Sequence, residues 1–559
     1  MGFQVLLAVP LGLAAICLFT FLKTNLLYQI AIRDKSLEKE PPALPHSIPW
    51  LGHVFGFLTP VPGLFFSKIL LWYSRAHGGA SMKLAGRNIR LIFSTTAVQA
   101  LLKVKPDVAN SETMIRDMMC KGLGTSDVDY AKYVGHGRHL EHEVSSKYLL
   151  RPTGADVLLR QFARVMKKGL MEESLRLSGP ADKRGEAVHL YGWLRSFMFK
   201  ASATSFFGER IFTEYPEIVR EFWDFEPRFL DLLFGVPKFV NCEPHSAQQR
   251  VVKGMTRWVK ANDRDMAGKT PNPDIPDQDW EPRWGSRLVR AREALFQDLE
   301  LSAQGRASME LGLLFALNAN AVPATGWMLM HILDPRKPDI LPRIMKEIQE
   351  AVDAADPNGD LDFDLPTLIN QPLLQSLFQE VLRLYVDVLV TRAVYQDMKL
   401  PTEDSQTTLL IKKGTIAMAP SYVNHYDPTG YAGAPVEEFD AERFLVRAGQ
   451  ETADPSGNDG VIYDEKSSNK VSKKPYAFSP GATGAKMIPF GGGRTMCPGR
   501  VFAKREVFSS LALVLLNFDI TTLAGPRSYK VPGVVASYSG SGIIGHGEML
   551  SKAKKQELV

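Results

Sequence analysis

The chain has 559 residues, of which 45% are hydrophobic, 23% charged and 10% aromatic, and such a composition can bury a substantial core, which excludes disorder as its main state. Its 66 basic and 61 acidic residues leave a net charge of +5, too weak a bias to indicate a nucleic-acid partner. The four cysteines have no paired spacing, which excludes a disulfide framework and a zinc knuckle.

The amino terminus begins with an uncharged apolar run from Phe3 to Leu22. A helix of about 20 residues is what the hydrocarbon core of a bilayer requires, so residues 1–24 are predicted to be a single membrane anchor. The alternative is a cleaved signal peptide, but no basic residue precedes the run and no small-x-small cleavage site follows it. The basic residues come after the run, at Lys23, Arg33, Lys35 and Lys39, which places the rest of the chain on the cytosolic side.

Residues 25–50 contain four prolines, at 41, 42, 45 and 49, and we expect this segment to be a stiff hinge between anchor and body. Residues 51–559 are predicted to form a single domain that is mainly α with a small β region. Helical spacing of apolar residues is found at 157–175, 193–206, 287–302, 310–332 and 373–384, and strand-like alternation in "SMKLAGRNIRLIFS", "TRAVYQDMKLP" and "TTLLIKKGTIAMAP".

Two of these helical segments contain residues of chemical interest. Pro323 lies inside the apolar helix 310–332, where proline removes a backbone hydrogen bond and kinks the helix. Glu380 and Arg383 stand three residues apart in 373–384, so that they share a helical face and can form a charge pair. Such a pair is very common and is usually solvated. Downstream, the polar residues 454–480 are predicted to be a surface insertion.

Cys497 lies in the most unusual stretch, "FGGGRTMCPG", which has the order F-x-x-G-x-x-x-C-x-G. A glycine turn of this kind can direct backbone N–H groups at a thiolate, and Gly493 and Gly499 would allow a flat ligand to approach closely. The alternative is an inert buried cysteine. A second glycine-rich stretch, "GSGIIG" at 540–545, is too close to the carboxyl end for a dinucleotide site, and we interpret it as a hairpin tip.

The stretch around Cys497 resembles the haem-binding loop of the cytochrome P-450 superfamily. Other motifs of that family precede this stretch, in the order that the family has. They are E-x-x-R at Glu380 and Arg383, and Arg443 beside Phe444 with Ala441 where a proline is more usual. The resemblance implies the P-450 fold after one transmembrane helix. It also implies haem b as cofactor with Cys497 as the axial iron ligand, Phe490, Gly493 and Gly499 around it, and a buried network of Glu380, Arg383 and Arg443.

The resemblance also implies partners for the two haem propionates. Arg392 follows Arg383 at the distance at which the family places a propionate-binding arginine. Arg138, in "YVGHGRHLEHE", is the candidate for the other propionate, although Val134 replaces the tryptophan that usually precedes it by four residues.

The distal helix departs from the family pattern. The usual acid and threonine that relay protons to oxygen are replaced by Val322 and Pro323, and Asn320 precedes them. This N-x-x-P-A variant resembles the branch with sterol 7-alpha-hydroxylases and prostacyclin synthase, and Thr495 in place of an arginine agrees with it. Asn320 and Pro323 are therefore the candidate catalytic positions.

The resemblance implies a monooxygenase that inserts one atom of O2 into a lipophilic substrate such as a sterol, a terpenoid or another secondary metabolite. Its partners would be an NADPH-cytochrome reductase and the endoplasmic reticulum membrane, with the catalytic domain facing the cytosol. Because the branch also contains isomerases, a reductant-independent rearrangement of a lipid peroxide is the alternative. A tethered carrier of apolar ligands that has lost haem is a third class, which the intact Cys497 loop disfavours.

Overall fold

The computed structural model describes residues 2–34, 36–57, 78–177, 186–267, 269–357, 359–386, 388–404, 406–428, 430–431, 433–448, 475–483, 487–522 and 546–551. The helices are α1 (Gly2–Arg33), α2 (Val54–Phe57), α3 (Thr95–Leu102), α4 (Glu112–Asp117), α5 (Asp127–Tyr133), α6 (His136–Ser145), α7 (Pro152–Leu177), α8 (Leu190–Phe207), α9 (Arg210–Glu214), α10 (Ile218–Phe225), α11 (Phe229–Leu233), α12 (Glu243–Met266), α13 (Arg287–Asp298), α14 (Ala303–Asn318), α15 (Ala321–Ile332), α16 (Ile340–Asp353), α17 (Leu365–Ile369), α18 (Pro372–Tyr385), α19 (Ser421–His425) and α20 (Arg500–Asn517).

The strands of the described residues fall into five small sheets. They are β1 (Glu38–Lys39), β2 (Gly79–Leu84), β3 (Arg87–Ile92), β4 (Ala109–Asn110), β5 (Glu186–His189), β6 (Trp280–Glu281), β7 (Gly285–Ser286), β8 (Leu389–Val394), β9 (Met398–Pro401), β10 (Thr408–Ile411), β11 (Ile416–Pro420), β12 (Leu445–Arg447), β13 (Tyr476–Phe478), β14 (Phe518–Thr522) and β15 (His546–Ser551). The predicted fold class, mainly α with a small β region, is confirmed.

Helix α1 is longer than the anchor that we predicted. It runs past residue 24 to Arg33, into the segment that we assigned to the hinge, and ends before the first proline of that segment, Pro41. Its end is attached to the body: Thr24 Oγ1 donates to the carbonyl of His46 at 3.1 Å and accepts from its N–H at 3.1 Å. The Tyr28 side chain is buried among residues of the sheet. The part from Pro10 to Arg33 has a mean hydropathy of 1.6 and is long and apolar enough to cross a membrane.

Most of the core lies between helices, and α14 with α15 runs through it. The span Ala303–Ile332 is as long and apolar as a membrane helix, but 83% of its most apolar window is buried, so it is a core element. Local signals set the helix starts: Ser302 Oγ accepts from the N–H of Gly305 at 2.9 Å ahead of α14, and Pro372 is the first residue of α18, where its missing N–H costs nothing.

The largest sheet has five strands in the order β2-β3-β11-β8-β4. Strand β11 pairs parallel with β3 and antiparallel with β8, and this register sets Arg392 of β8 opposite Ala417 of β11. A second apolar cluster joins this sheet to α3, and it includes Leu102 and Ile488. Ile488 begins the stretch that carries Cys497, so the sheet holds the start of that stretch in place.

Two predicted surface segments fall largely outside the described residues. Of the insertion 454–480, only 475–480 are described; β13 lies within this end of it and pairs antiparallel with β12, which precedes the insertion. The stretch 540–545 also lies outside the described residues, between β14 and β15, which pair antiparallel with each other.

Candidate functional site

The loop before Cys497 is shaped by glycine. Gly491 has φ +70° and Gly493 has φ +62°, a left-handed conformation that only glycine adopts without strain. A Cβ built on Gly493 would lie 2.3 Å from the carbonyl oxygen of Leu102, so a larger residue would also push the loop away from α3. The turn closes where the N–H of Cys497 donates to the carbonyl of Phe490 at 3.0 Å.

Cys497 is partly exposed and lies three residues before α20, and backbone donors face its sulfur. Burial raises the pKa of the Cys497 thiol, while the N–H groups of Gly499 and Arg500 and the charge of Arg500 act in the opposite direction. These donors are the features that stabilise a thiolate at a helix amino terminus. At Cys120, burial and the charge of Asp127 raise the thiol pKa and the charge of Arg116 lowers it, so side-chain charges take the place that backbone N–H groups have at Cys497.

The glycine after Cys497 has a different status from Gly493. Gly499 has φ −82°, which any residue can adopt, and a Cβ there would make ordinary contact with the Cys497 sulfur at 3.8 Å. Nothing in the described backbone therefore demands glycine at 499, and its role at the open side of the sulfur stays a prediction. Phe490 is partly buried and packs against the main helical core.

Arg392 is a buried cation without a carboxylate partner among the described residues. Its side chain donates to Ser111 Oγ at 2.6 Å and Thr495 Oγ1 at 3.0 Å, and it is 7% exposed. Desolvation lowers the pKa of Arg392. A buried guanidinium costs free energy unless an anion compensates it, so this position suits the carboxylate of a bound cofactor. The donor set and the Cys497 sulfur together fit a haem with a thiolate ligand.

Arg138 lies in a different setting. It is on α6 and is partly exposed, and its guanidinium forms an ion pair with Glu112 of α4. The charge of Arg138 is thus already compensated within the protein. Its assignment to the second propionate stays a prediction.

Glu380, Arg383 and Arg443 are brought together and are fully buried. Arg383 donates to the two carboxylate oxygens of Glu380 through Nε and Nη2, both at 2.7 Å, and Nε of Arg443 lies 3.1 Å from both oxygens. Desolvation lowers the pKa of Arg383, but the hydrogen bond and charge of Glu380 outweigh it and raise the pKa overall.

Backbone carbonyls satisfy the donors that Glu380 leaves over. Arg383 Nη1 donates to the carbonyls of Val436 at 2.7 Å and His425 at 3.1 Å, and the guanidinium of Arg443 donates to the carbonyls of Ala434, Pro435 and Glu438. Arg383 also lies over the rings of Tyr426 and Tyr431, which adds cation–π attraction. One carboxylate and this set of carbonyls therefore hold two buried cations.

His425 and Ser111 are site residues that sequence reasoning missed. Each acts through the backbone of a distant segment: Ser111 Oγ donates to the carbonyl of Thr391, and His425 contacts both Arg383 and Ile488. Neither residue belongs to a sequence motif that we recognised. No local signal in the sequence could have identified them.

The distal helix is interrupted before Pro323 rather than kinked at it. Helix α14 ends at Asn318 and α15 starts at Ala321, so Ala319 and Asn320 form a turn. The N–H of Ala319 still donates to Phe315, and the next bond across the turn, from Ala324 to Asn320, comes only after Pro323. Proline has no N–H for the carbonyl of Ala319, and its ring clashes with the preceding turn, so the break falls before Pro323.

Exposure separates the two candidate catalytic positions. Asn320 is exposed although its neighbours in α14 and α15 are buried, and Ala316, four residues earlier, is exposed as well. Residues at this spacing share one face of a helix, so this face borders an open space. Pro323 and Val322 are buried. The structure thus presents Asn320 to the open space and keeps Pro323 within the helix packing.

Comparisons with known proteins agree with this geometry. The sequence model described as "Cytochrome P450" matches residues 311–532, a range that contains the helix break, the Glu380 network and Cys497. The retinoic-acid-bound structure of cyanobacterial CYP120A1 superposes with a TM-score of 0.59 at 20% identity, over 92% of this chain and 100% of that one. This likeness shows a shared fold.

Curated relatives extend over most of the sequence. The cytochrome P450 monooxygenase fsoE of Humicola fuscoatra is 27% identical over 92% of this chain and 86% of its own length. The cytochrome P450 monooxygenase calL of Penicillium decumbens is 27% identical over 86% of this chain and 85% of its own. Cholesterol 7-alpha-monooxygenase of Cricetulus griseus is 27% identical over 64% of this chain and 63% of its own.

Proposed function

We propose that this chain, which belongs to the cytochrome P450 superfamily and is a monooxygenase of it, inserts one oxygen atom from O2 into a lipophilic, polycyclic small molecule. The observation that carries the proposal is the environment of Cys497: a partly exposed cysteine three residues before α20, with two backbone N–H groups directed at its sulfur. Inert buried cysteines lack such donors.

When bound, haem supplies the activation of O2 that no side chain can provide, and thiolate ligation favours cleavage of the O–O bond. Cys497 is the residue that would hold its iron. Arg392 would neutralise one carboxylate of the cofactor, because its charge has no carboxylate partner among the described residues. Glu380, Arg383 and Arg443 would fix the segment behind the loop.

Proton delivery is assigned to the interrupted distal helix. Asn320 offers an amide donor and acceptor on the exposed face, and the carbonyl of Ala319 has no N–H from Pro323. A water molecule held by these two groups would replace the acid and the alcohol that Val322 and Pro323 displace. The proposal therefore makes Asn320 the residue that orients this water and Pro323 the residue that leaves the carbonyl open.

The substrate class rests on the relatives. Cholesterol 7-alpha-monooxygenase is named for a sterol, and the fungal relatives are monooxygenases whose names give no substrate. We assign a sterol, a terpenoid or a related polycyclic secondary metabolite, which would lie against residues 319–324. Electrons would come from NADPH through a cytochrome reductase, and α1 would keep the enzyme at the endoplasmic reticulum membrane with the catalytic domain in the cytosol.

A second candidate function is favoured by Val322 and Pro323, since neither side chain can relay a proton. A haem-thiolate isomerase, which rearranges a lipid peroxide, needs no such relay and no electron donor. The two functions differ in their electron requirement.

Reconstitution of the purified full-length protein tests both functions. The reduced protein with carbon monoxide should give the thiolate-type Soret band, and candidate lipids should shift the spectrum of the oxidised protein. Product formation should require NADPH, the reductase and O2. Conversion of a hydroperoxide or endoperoxide without any reductant would instead establish the isomerase.

A further inference from the structure

His425 connects two parts of the site that are far apart in sequence. It is the last residue of α19 and is fully buried. Its carbonyl accepts from Arg383 Nη1 at 3.1 Å, and its ring nitrogen Nε2 accepts from the N–H of Ile488 at 3.3 Å. One residue thus contacts the Glu380 network with its backbone and the Cys497 stretch with its side chain.

The hydrogen bonds continue from Ile488 to the cysteine. The carbonyl of Ile488 accepts from the N–H of Gly491 at 3.0 Å, which closes the first turn of the loop. The carbonyl of Phe490 then accepts from the N–H of Cys497 at 3.0 Å. Ile488 itself is 1% exposed and is packed against the sheet. A displacement of Ile488 would therefore also displace the side chains that surround it.

The ring of His425 is neutral and has a defined tautomer. A backbone N–H can only donate, so Nε2 must carry the lone pair and the proton must be on Nδ1. Burial and the nearby charge of Arg383 lower the pKa of His425 to about 3, which keeps the ring neutral throughout the physiological range. The bond to Ile488 therefore does not depend on pH there.

We propose that His425 is a positioning residue for the cysteine ligand: its Nε2 holds the N–H of Ile488 and thereby fixes the loop that aims the Cys497 sulfur. The inference rests on the proposed haem-thiolate function. It also links the Glu380 network to the cysteine. The network holds the backbone of His425 through Arg383, and the ring of His425 holds Ile488 at the start of the loop.

Two substitutions separate this role from simple core packing. In His425→Gln the side-chain oxygen can take the place of Nε2, whereas the shorter side chain of His425→Asn cannot reach it. His331 supplies the matched control, since it is also buried and its Nε2 is hydrogen bonded to the Tyr385 hydroxyl at 2.8 Å. Among the described residues, no hydrogen bond of the His331 ring leads to the Cys497 loop.

The experiment measures, in full-length haem-loaded protein, the fraction of the reduced carbon monoxide complex with the thiolate-type band. His425→Asn should lower the ratio of thiolate to non-thiolate form about tenfold, the usual effect of losing a group that orients a metal ligand. His425→Gln should restore most of it, and His331→Asn should leave it unchanged. Hydrogen–deuterium exchange of the peptide that contains Ile488 should rise in His425→Asn alone.

The outcomes are distinct. If the wild-type protein lacks the thiolate band, the proposed function fails and this inference fails with it. If the wild type has the band and His425→Asn keeps it, with unchanged exchange at Ile488, His425 is only a core residue. Equal loss in the Asn and Gln variants would also overturn the inference. If His425→Asn yields too little protein, His425→Leu takes its place at whatever yield it gives. A wild-type thiolate band in His425→Leu would overturn the inference, and loss of the band in His425→Leu together with its return in His425→Gln would support it.

Discussion

The two sides of the candidate site differ in the continuity of their hydrogen bonding. Around Cys497, the buried cations Arg383 and Arg443 have named acceptors at 2.7 to 3.3 Å, and the loop is locked by backbone bonds. In the distal helix, the hydrogen-bond ladder is interrupted between Asn318 and Ala321. The first arrangement suits a ligand that must not move, the second a path for water and protons.

The largest expected effect is on the rigid side, at Cys497. Cys497→Ala removes the only thiol in the loop 490–499, so the thiolate-type Soret band of the reduced carbon monoxide complex should disappear. Cys120→Ala is the control and should leave the band intact, because Cys120 lies outside the loop 490–499. A band that survives in Cys497→Ala would place the ligand elsewhere.

Breaking the network should come next. Glu380→Ala leaves two arginines buried without an anion, a change that typically costs about 3 to 5 kcal/mol, so little folded, haem-loaded protein should be recovered. Asp360→Ala removes an exposed partner of Arg164 at 2.6 Å and should cost less than about 1 kcal/mol. Urea unfolding and haem yield measure both. Equal losses in the two variants would contradict the assigned role of burial.

The two propionate candidates should differ from each other. Arg392→Gln removes a charge that has no carboxylate partner in the described structure, and haem affinity should fall about tenfold or more. Arg138→Gln should have a smaller effect, because Arg138 is already paired with Glu112. Haem titration of both apoproteins gives the comparison. A larger loss for Arg138 would reverse the assignment.

A smaller change is expected on the distal side. Asn320→Leu removes the exposed amide without disturbing the buried core, so the thiolate spectrum should stay normal. Product formation should slow by about tenfold, a smaller loss than that of a directly positioned acid. The electrons that no longer reach product should appear as peroxide. Cys242→Ala, at an exposed position, should change neither quantity. An unaltered ratio of product to NADPH in Asn320→Leu would exclude the water path.

The smallest spectral effect should follow from removal of residues 1–24. Both sides of the site lie in the body, and Tyr28 keeps its place in the sheet cluster, so the truncated protein should show a normal thiolate spectrum. It should also leave the membrane fraction on centrifugation. If it stays in the pellet, a second surface of the protein binds the membrane.

The difference between the two sides also explains what the sequence could predict. The loop is a local structure: positive φ at Gly491 and Gly493 follows from the glycines themselves, and the three-residue spacing of Glu380 and Arg383 is enough to make them meet. The pairing of Arg138 with Glu112, and of His425 with Ile488, joins segments that only tertiary packing brings together. Pro323 predicts a disturbed helix, but the position of the break depends on how the turn before it packs.

The attachment of α1 changes how the membrane would act on the enzyme. A helix of 32 residues is about 48 Å long, whereas the hydrocarbon core is about 30 Å thick, so the excess length corresponds to the end that is bonded at His46 and buried at Tyr28. A bilayer that holds the apolar part of α1 would therefore set the orientation of the whole body relative to the membrane, because Thr24 and Tyr28 attach α1 to the body. Bilayer thickness would then control the tilt of the catalytic domain, and with it the direction from which a lipid reaches Asn320.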